Sequence, residues 1–369
     1  MADPRPRLST RDLLGPLVVF LGAVLLAGAL AVGPLLGDGL RAVPMDTDQT
    51  AVADGSDGTE LLDPCSLTAA HPRVVTGTVQ QRRRVVAVRP ADDRVLTLQA
   101  GTALGVDSYL VDGKRVSPET ACGKPTLAAT VDRVTVDRST AAPTGESEIQ
   151  YADDQAATVV DDRHGYTYLF PWEFDRSHLQ YFDPVTRRSL PMRAEGTETM
   201  GGRTVVRLVV EVPETDLSTV QPDPRTVLTA PAEWFGGLRG VPSGEELTAT
   251  LHHRAHRELF VDETTGVIVS ETARIEETYR FPEAAAARDG SLRDYRLTAL
   301  KTTLESDRQT VREAAELASS RSWPVTVVTL VVPIVAGVLG GLLLVAGVWM
   351  LRRRPDDRSG ENLGDRTDP

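Results

Sequence analysis

The sequence predicts a mainly β (α+β) protein, an antiparallel β-meander ectodomain flanked by an N-terminal and a C-terminal transmembrane helix. Three observations predict it. Apolar runs at residues 13–36 and 325–351 close the two ends of a 369-residue chain, and each exceeds the ~20 helical residues that cross a hydrocarbon core of ~30 Å. Between them, short Val- and Thr-rich segments are punctuated by Gly, Pro and Asp, the pattern of strands and turns. Arg5, Arg7 and Arg11 precede the first run, and Arg352, Arg353 and Arg354 follow the second. By the positive-inside rule both termini are cytoplasmic and residues ~37–322 are extracytoplasmic.

In order along the chain, residues 1–12 read as a cytoplasmic N-terminus and 13–36 as a signal-anchor helix. Ala29-Leu30-Ala31 resembles a signal-peptidase site, but the run continues through Val32 to Leu36, so the anchor is expected to remain. Residues 37–64, with Asp46, Asp48, Asp54, Asp57 and Glu60 among glycines, are predicted as an acidic stalk or loop. Residues 65–145 form a first β-rich part. Its strand signals lie at 73–79, 84–88, 94–98 and 126–136, and Asp112-Gly113 turns a hairpin because both residues tolerate positive φ. Residues 143–162 read as a polar connection opening the second β-rich part, 146–305.

In that second part, Met200-Gly201-Gly202 marks a turn before a clear strand at 204–212. An Asp-x-x-Thr element occurs twice, at Asp183 and Thr186 and at Asp262 and Thr265, the second followed by Gly266. Each Asp is expected to bond turn amides between two strands. Pro213, Pro222, Pro224, Pro231 and Pro242 mark an irregular stretch containing Trp234-Phe235, aromatic residues placed as the lip of an apolar groove or as a cover for the β core. Ser306-x-x-Gln309 resembles a capping box opening a membrane-proximal helix at 306–322, broken at Pro324 from the second span. Residues 352–369 form a cytoplasmic tail.

Composition narrows the function. Net charge is −12, and the segment between the two membrane-flanking ends holds 32 basic and 45 acidic residues. An acidic exterior excludes nucleic acid as a partner, whose phosphates reward Lys and Arg, and disfavours docking on anionic headgroups. The two cysteines, Cys65 and Cys122, both lie in the external segment, where an oxidising compartment permits a disulfide worth ~4 kcal/mol for a loop of that length. No metal, cofactor or catalytic site is expected. His252, His253 and His256 lack the Glu of a zinc-protease helix and sit in a strand-like context, so a solvated strand face is preferred over a metal or pH-sensing site. No nucleophile elbow or phosphate-binding Gly loop occurs. Gly337 and Gly341 are spaced for close helix approach, with Ala23 and Ala27 as a matching small surface. That predicts packing of the two spans or a homodimer through them. Neither span contains an ionisable residue in its apolar core, so these helices alone carry no ligands for an ion path.

Several motifs carry a family resemblance. They are Val131-Asp-Arg-Val-Thr-Val-Asp-Arg-Ser-Thr140, Tyr168-Leu-Phe-Pro-Trp-Glu-Phe174, Leu179-Gln-Tyr-Phe-Asp-Pro-Val-Thr186, Glu198-Thr-Met-Gly-Gly-Arg-Thr204 and Phe260-Val-Asp-Glu-Thr-Thr-Gly-Val-Ile-Val269. On these the chain resembles an actinobacterial two-pass membrane family of unknown function, in places termed PorA-like porin. The resemblance implies an envelope location and a porin or channel component, and it brings no catalytic residues. Against a membrane barrel, the strand signals look shorter than the ~9–11 residues needed, and charges interrupt their faces. The reading from the residues is a non-enzymatic extracytoplasmic binding module for a lipid or other apolar envelope molecule. A structural or partner-docking ectodomain and a porin component are the alternatives. The partners expected are the lipid bilayer, a lipid or envelope protein, and a second copy of the chain.

Overall fold

The computed structural model describes residues 10–352 except 112, 119–125, 152–153, 237 and 287–289. It divides into two compact units, one of Met1–Arg41 with Trp323–Pro369 and one of Ala42–Ser322. In chain order the elements are α1 (Thr10–Arg41), β1 (Asp48–Gly55), β2 (Thr59–Leu62), β3 (Val74–Ala91), β4 (Val95–Val111), β5 (Lys114–Val116), β6 (Thr126–Asp137), β7 (Pro143–Gln150), β8 (Thr158–Val160) and β9 (Gln180–Asp183). There follow β10 (Arg188–Met200), β11 (Arg203–Asp216), β12 (Val227–Pro231), β13 (Glu246–Asp262), β14 (Ile268–Arg280), the short α2 (Glu283–Ala286) and α3 (Gly290–Arg293), β15 (Leu297–Ser306), α4 (Arg308–Thr326) and α5 (Val332–Arg352).

The mainly β class with two long apolar terminal helices is therefore the observed one. Among the described residues the fifteen strands belong to a single antiparallel sheet in the order β8-β7-β6-β4-β3-β1-β15-β14-β13-β11-β10-β9, with β2, β5 and β12 paired off this path. Its two edges come together: Ile149 of β7, Tyr151 and Phe182 of β9 share one buried cluster against which Val160 of β8 packs, and the segment between β8 and β9 joins β9 through a parallel bridge of Tyr166 with Tyr181. The sheet is thus rolled, and the segment between β8 and β9 lies inside the roll. Phe170 and Phe174 from that segment join Leu61, Tyr109, Met192, Leu208, Leu259, Ile275 and Leu304 from seven strands in the main core. Alternation explains the arrangement. Along β13, Leu251, Ala255, Leu259 and Val261 are buried while Arg254 is exposed and His256 and Glu258 half-buried, the period-2 signature of one dry and one wet face.

Several expectations are corrected. Residues 37–64 are not a stalk: β1 lies between β3 and β15 in the middle of the sheet, and β2 pairs with both. The acidic residues mislead because β1 keeps a half-wet face, where Asp48 accepts from Arg84 and Asp54 from Gln80. The polar connection at 143–162 contains β7 and β8. The strands are also far longer than their apolar signals: the Gln80-Gln81-Arg82-Arg83-Arg84 run that separates two of them is the middle of the 18-residue β3. The proposed division between 65–145 and 146–305 falls within one sheet and one unit.

The helix ends differ too. Asp307, not Ser306, caps α4, its Oδ1 accepting from the Thr310 amide at 2.6 Å, as an N-cap carboxylate does; Ser306 instead bonds the Glu271 backbone. Pro324 lies inside α4, and a π-helical turn at Val327–Val331 leads into α5; the carbonyl that Pro333 leaves without an amide partner, that of Thr329, falls within this turn.

α1 and the continuous helix of residues 308–352 are both long and apolar enough to cross a membrane. The contact between α1 and α5 runs through Gly22 and Gly340, where a Cβ added at either would lie 2.9 Å from the other's carbonyl oxygen, and through Gly15 and Gly347. Ala23 and Ala27 are exposed, and a Cβ at Gly337 or Gly341 meets nothing within 4 Å. The predicted Ala23/Ala27–Gly337/Gly341 seam is therefore replaced by one a small rotation away. Seven-residue spacing on both helices, not the four-residue spacing in the sequence, sets this interface.

Candidate functional site

The site is built on β3. Within Arg82-Arg83-Arg84 strand alternation sends Arg82 and Arg84 to water and Arg83 inward, on the same face as Val79 and Val85. An inward guanidinium must be paired, and Glu271 of β14 supplies the partner at 3.0 Å. Glu271 also receives Arg257 Nη1 at 2.8 Å, and Arg257 Nη2 stands 3.6 Å from Asp183. Burial pushes the Glu271 carboxyl up, but the Arg83 and Arg257 guanidiniums outweigh it and hold the group below the ordinary carboxylate range.

A second buried pair adjoins the first. Arg163 forms a two-bond fork on Asp132, at 2.6 and 2.9 Å, with both side chains only 1% exposed. The Tyr168 hydroxyl donates to the same carboxylate at 2.5 Å, and its ring lies 6.0 Å from the Arg83 guanidinium. Burial, then the Asp132 charge, raises the Tyr168 phenol well above its usual value, which keeps it a donor.

Above Arg83 and Tyr168 lies a cavity of about 260 Å³. Its floor is Gln49 and Ala51 of β1 with Arg83 and Val85 of β3; Ile268 closes one side and Ala314 and Leu317 of α4 form the roof. Two adjacent stripes of α4 divide the work. Val311 and Ala315 seal the helix onto Val205, Phe260 and Val269, while Thr310, Ala314 and Leu317 face the hollow. The Thr310 hydroxyl clamps the helix to β1 through the Val52 amide at 2.9 Å. Gly201, with φ of +56°, permits the close seat, since a Cβ there would meet Ala315 Cβ at 2.5 Å.

The polar lining is unequally occupied. Asp48 is engaged by Arg84, Glu313 by Gln309 and Tyr168 by Asp132. Arg83 spends one nitrogen, Nη1, on Glu271; its Nε and Nη2 have no partner among the described residues and are not sealed from the cavity. Chemically, the cavity offers two guanidinium donors against an apolar wall.

The predicted site residues lie elsewhere. Trp234 and Phe235 are 6% and 4% exposed, buried with Phe281, Leu292 and Leu297 in a second core. Phe235 contacts Trp234, Phe281 and Tyr295 at ring-centroid distances of 5.0–5.5 Å, and Trp234 Nε1 donates to the Ser66 carbonyl. They fill a core rather than line a groove, which corrects the lip. Asp183 Oδ2 accepts from Thr186 N and Oγ1 at 2.9 and 2.7 Å, and Asp262 Oδ1 from Thr265 N and Oγ1 at 2.8 and 2.7 Å, so the two turns share one bonding pattern. Asp262 further pairs with Arg203. Gly266, at φ +70°, lets its turn dock on Phe170, whose carbonyl oxygen would be 2.1 Å from an added Cβ.

Cys65, in a short 3₁₀ turn at Pro64–Thr68, is not a free thiol; Cys122 lies outside the described residues. His252 and His256 share the wet face of β13, His256 between Glu211 and Glu258 at 2.7 and 3.2 Å. His253 faces inward on Glu277 at 2.9 Å. Among the described residues no group of ligands is arranged for a metal. The residues that sequence reasoning missed are Arg83, Tyr168, Glu271 and the α4 stripe. Strand parity within the triple Arg was the available signal for the first.

The model of the family described as Porin PorA matches residues 14–349. The chain belongs to the PorA family. Its relatives include a Porin PorA of Corynebacterium amycolatum, 25% identical over 388 residues that cover 90% of this chain and 97% of the relative. A Porin PorA of Corynebacterium resistens is 25% identical over 428 residues, covering 96% and 100%. Among solved structures, a beta-barrel-like protein of a domain of unknown function from Brucella abortus covers 72% of this chain and all of its own, at 11% identity and a TM-score of 0.14.

Proposed function

We propose that this PorA-family chain is a membrane-anchored, non-enzymatic envelope protein whose β unit holds a small amphipathic molecule in the cavity roofed by α4. One observation carries the reading: an apolar wall from Ile268, Ala314 and Leu317 faces the half-occupied Arg83. Small-molecule sites combine apolar lining with a few placed polar groups, and 260 Å³ sits just under their usual ~300–1,000 Å³. A ligand the size of one short chain fits. In this reading both termini are cytoplasmic, on the Arg clusters at each end, and Cys65 pairs with Cys122 in the oxidising exterior.

The test is co-purification. Full-length protein exchanged into lipid nanodiscs, washed and extracted into organic solvent, should release a stoichiometric ligand that Ala314→Trp, which fills the cavity, removes. Equal extracts from both proteins would refute it. A reporter fused to the C terminus and found outside the cell would overturn the topology.

A second reading, a pore component, is favoured by the family itself, whose relatives are named porins. Two apolar helices without ionisable residues in their cores enclose no ion path, so this reading requires several copies. Purified protein that gives no conductance steps in planar bilayers would refute it.

A further inference from the structure

The cavity reading leaves the ligand's chemistry open, and the unequal occupation of the lining narrows it. We infer that the ligand is a single-chain amphiphile with an oxyanion head, a carboxylate or a phosphate, docked on the Nε–Nη2 edge of Arg83 with its chain against Val85, Ile268, Ala314 and Leu317; this rests on the proposed cavity function.

The head is assigned by elimination. Asp48 and Glu313, the lining carboxylates, already have partners, and a cationic head would be set against the Arg83 guanidinium. Tyr168 and Thr310 spend their hydroxyls on Asp132 and on Val52. What remains is one guanidinium edge with two parallel donors, the geometry that a carboxylate or phosphate matches in a fork. Gln49, half-buried and opposite Val85 in the β1–β3 register, adds an amide beside it.

Arg83 is held ready for this. Glu271 fixes Nη1 at 3.0 Å, and Arg257 on the other oxygen of Glu271 keeps that carboxylate from neutralising Arg83 alone. The Tyr168 ring, its centroid 6.0 Å from the Arg83 guanidinium carbon, lies at the outer reach of a cation–π contact. The chain is assigned by the opposite wall, where α4 presents Ala314 and Leu317 and β14 presents Ile268. A free inorganic anion would leave that wall uncovered.

The experiment measures binding of decanoate, decyl phosphate, decanol and inorganic phosphate to full-length protein in phosphatidylcholine nanodiscs, with Ala314→Trp as the filled-cavity control. Decanoate or decyl phosphate should bind at least about tenfold more tightly than decanol, as expected for hydrogen bonds to a charged group; which of the two is tighter identifies the head. Arg83→Lys keeps a charge for Glu271 but loses the fork, and should weaken the anionic ligand about tenfold while leaving decanol unchanged. Leu317→Trp provides a second filled variant should Ala314→Trp fail to fold. Decanol binding as tightly as decanoate, with both lost in the filled variants, would overturn the oxyanion head and leave the cavity function standing. Inorganic phosphate binding as tightly as decyl phosphate would overturn the chain. Binding of none of the four would overturn the inference, while co-purification judges the cavity function separately.

Discussion

Phe235 decides whether the aromatic pair at 234–235 is core or contact surface, and its truncation has a calculable cost. The side chain is 4% exposed and touches three rings, Trp234 and Phe281 at 5.0 Å and Tyr295 at 5.5 Å. Phe→Ala in a packed core costs ~3–5 kcal/mol, the transfer of the ring plus the cavity it leaves. Edge-to-face partners add ~0.5–1.5 kcal/mol per pair beyond area, and with three of them Phe235→Ala belongs near the top of the range. With a urea m-value of about 3 kcal/mol/M, the upper end for small domains, a loss of ~4 kcal/mol lowers the midpoint by roughly 1 M. The assay is urea unfolding of the full chain in nanodiscs, following the β signal in circular dichroism. A midpoint displaced by less than about 0.3 M would refute the core assignment and restore these residues to the surface of a binding groove.

Three further outcomes follow from the same geometry. Gly266→Ala places a Cβ 2.1 Å from the Phe170 carbonyl oxygen at φ +70° and should destabilise the β unit by at least about 2 kcal/mol; an unchanged thermal midpoint would show that the β13–β14 turn is not docked on Phe170. Glu271→Gln leaves Arg83 and Arg257 buried without their shared counter-charge and should cost ~3–5 kcal/mol, read by the same urea assay, with a loss under about 1 kcal/mol refuting the network. Arg203 and the Thr265 bonds outweigh burial at Asp262 and hold its carboxyl below the ordinary value. Its stabilisation is therefore full above the unfolded pKa of about 4 and is lost as pH falls through the lower folded value. Asp262→Asn should flatten the acid-side slope of stability below pH ~4, and an unaltered slope would remove Asp262 from that account.

What the sequence made legible follows from periodicity. The two apolar ends, the β13–β14 hairpin around Asp262 and Thr265, and the Gly201-Gly202 turn were readable because each rests on local chemistry: run length, a side chain bonding its own turn, a residue tolerating positive φ. The long strands were not. β3 passes through Gln80 to Arg84 because the sheet supplies partners for polar side chains on both faces: Asp54 for Gln80 and Asp48 for Arg84 outside, Glu271 for Arg83 inside. Those partners lie 26 to 188 residues away, and no local pattern announces them. The same distance hid the site. Parity places Arg83 on the buried face once β3 is known to be one strand, but a cavity also needs α4, whose seat depends on Gly201 and on Val205, Phe260 and Val269 from three strands.

The long strands reopen the barrel question that short ones had closed, and the faces of the sheet answer it. A lipid-facing strand must be apolar outside, because one Arg or Lys at the bilayer midplane costs ~2–4 kcal/mol. In the middle of this sheet the outer face carries Glu211, Arg254, His256, Arg274, Glu276 and Lys301 around a single hollow, with Arg254 on Glu276 and His256 on Glu211. Its inner face holds Leu208, Val210, Ala255, Leu259 and Ile275 in the core. That polarity is of a sheet rolled in water around its own apolar filling, the inverse of a porin wall. Conduction by a PorA-family chain of this architecture must then come from helices, and one copy contributes two, sealed against each other at Gly22 and Gly340. Gly337 and Gly341 remain open in a single copy, so a pore made this way stands or falls on oligomer assembly. If Gly337→Leu with Gly341→Leu left both the oligomeric state in bilayers and any conductance unchanged, the helices would be anchors, and the β unit's cavity would be left as the functional part of the chain.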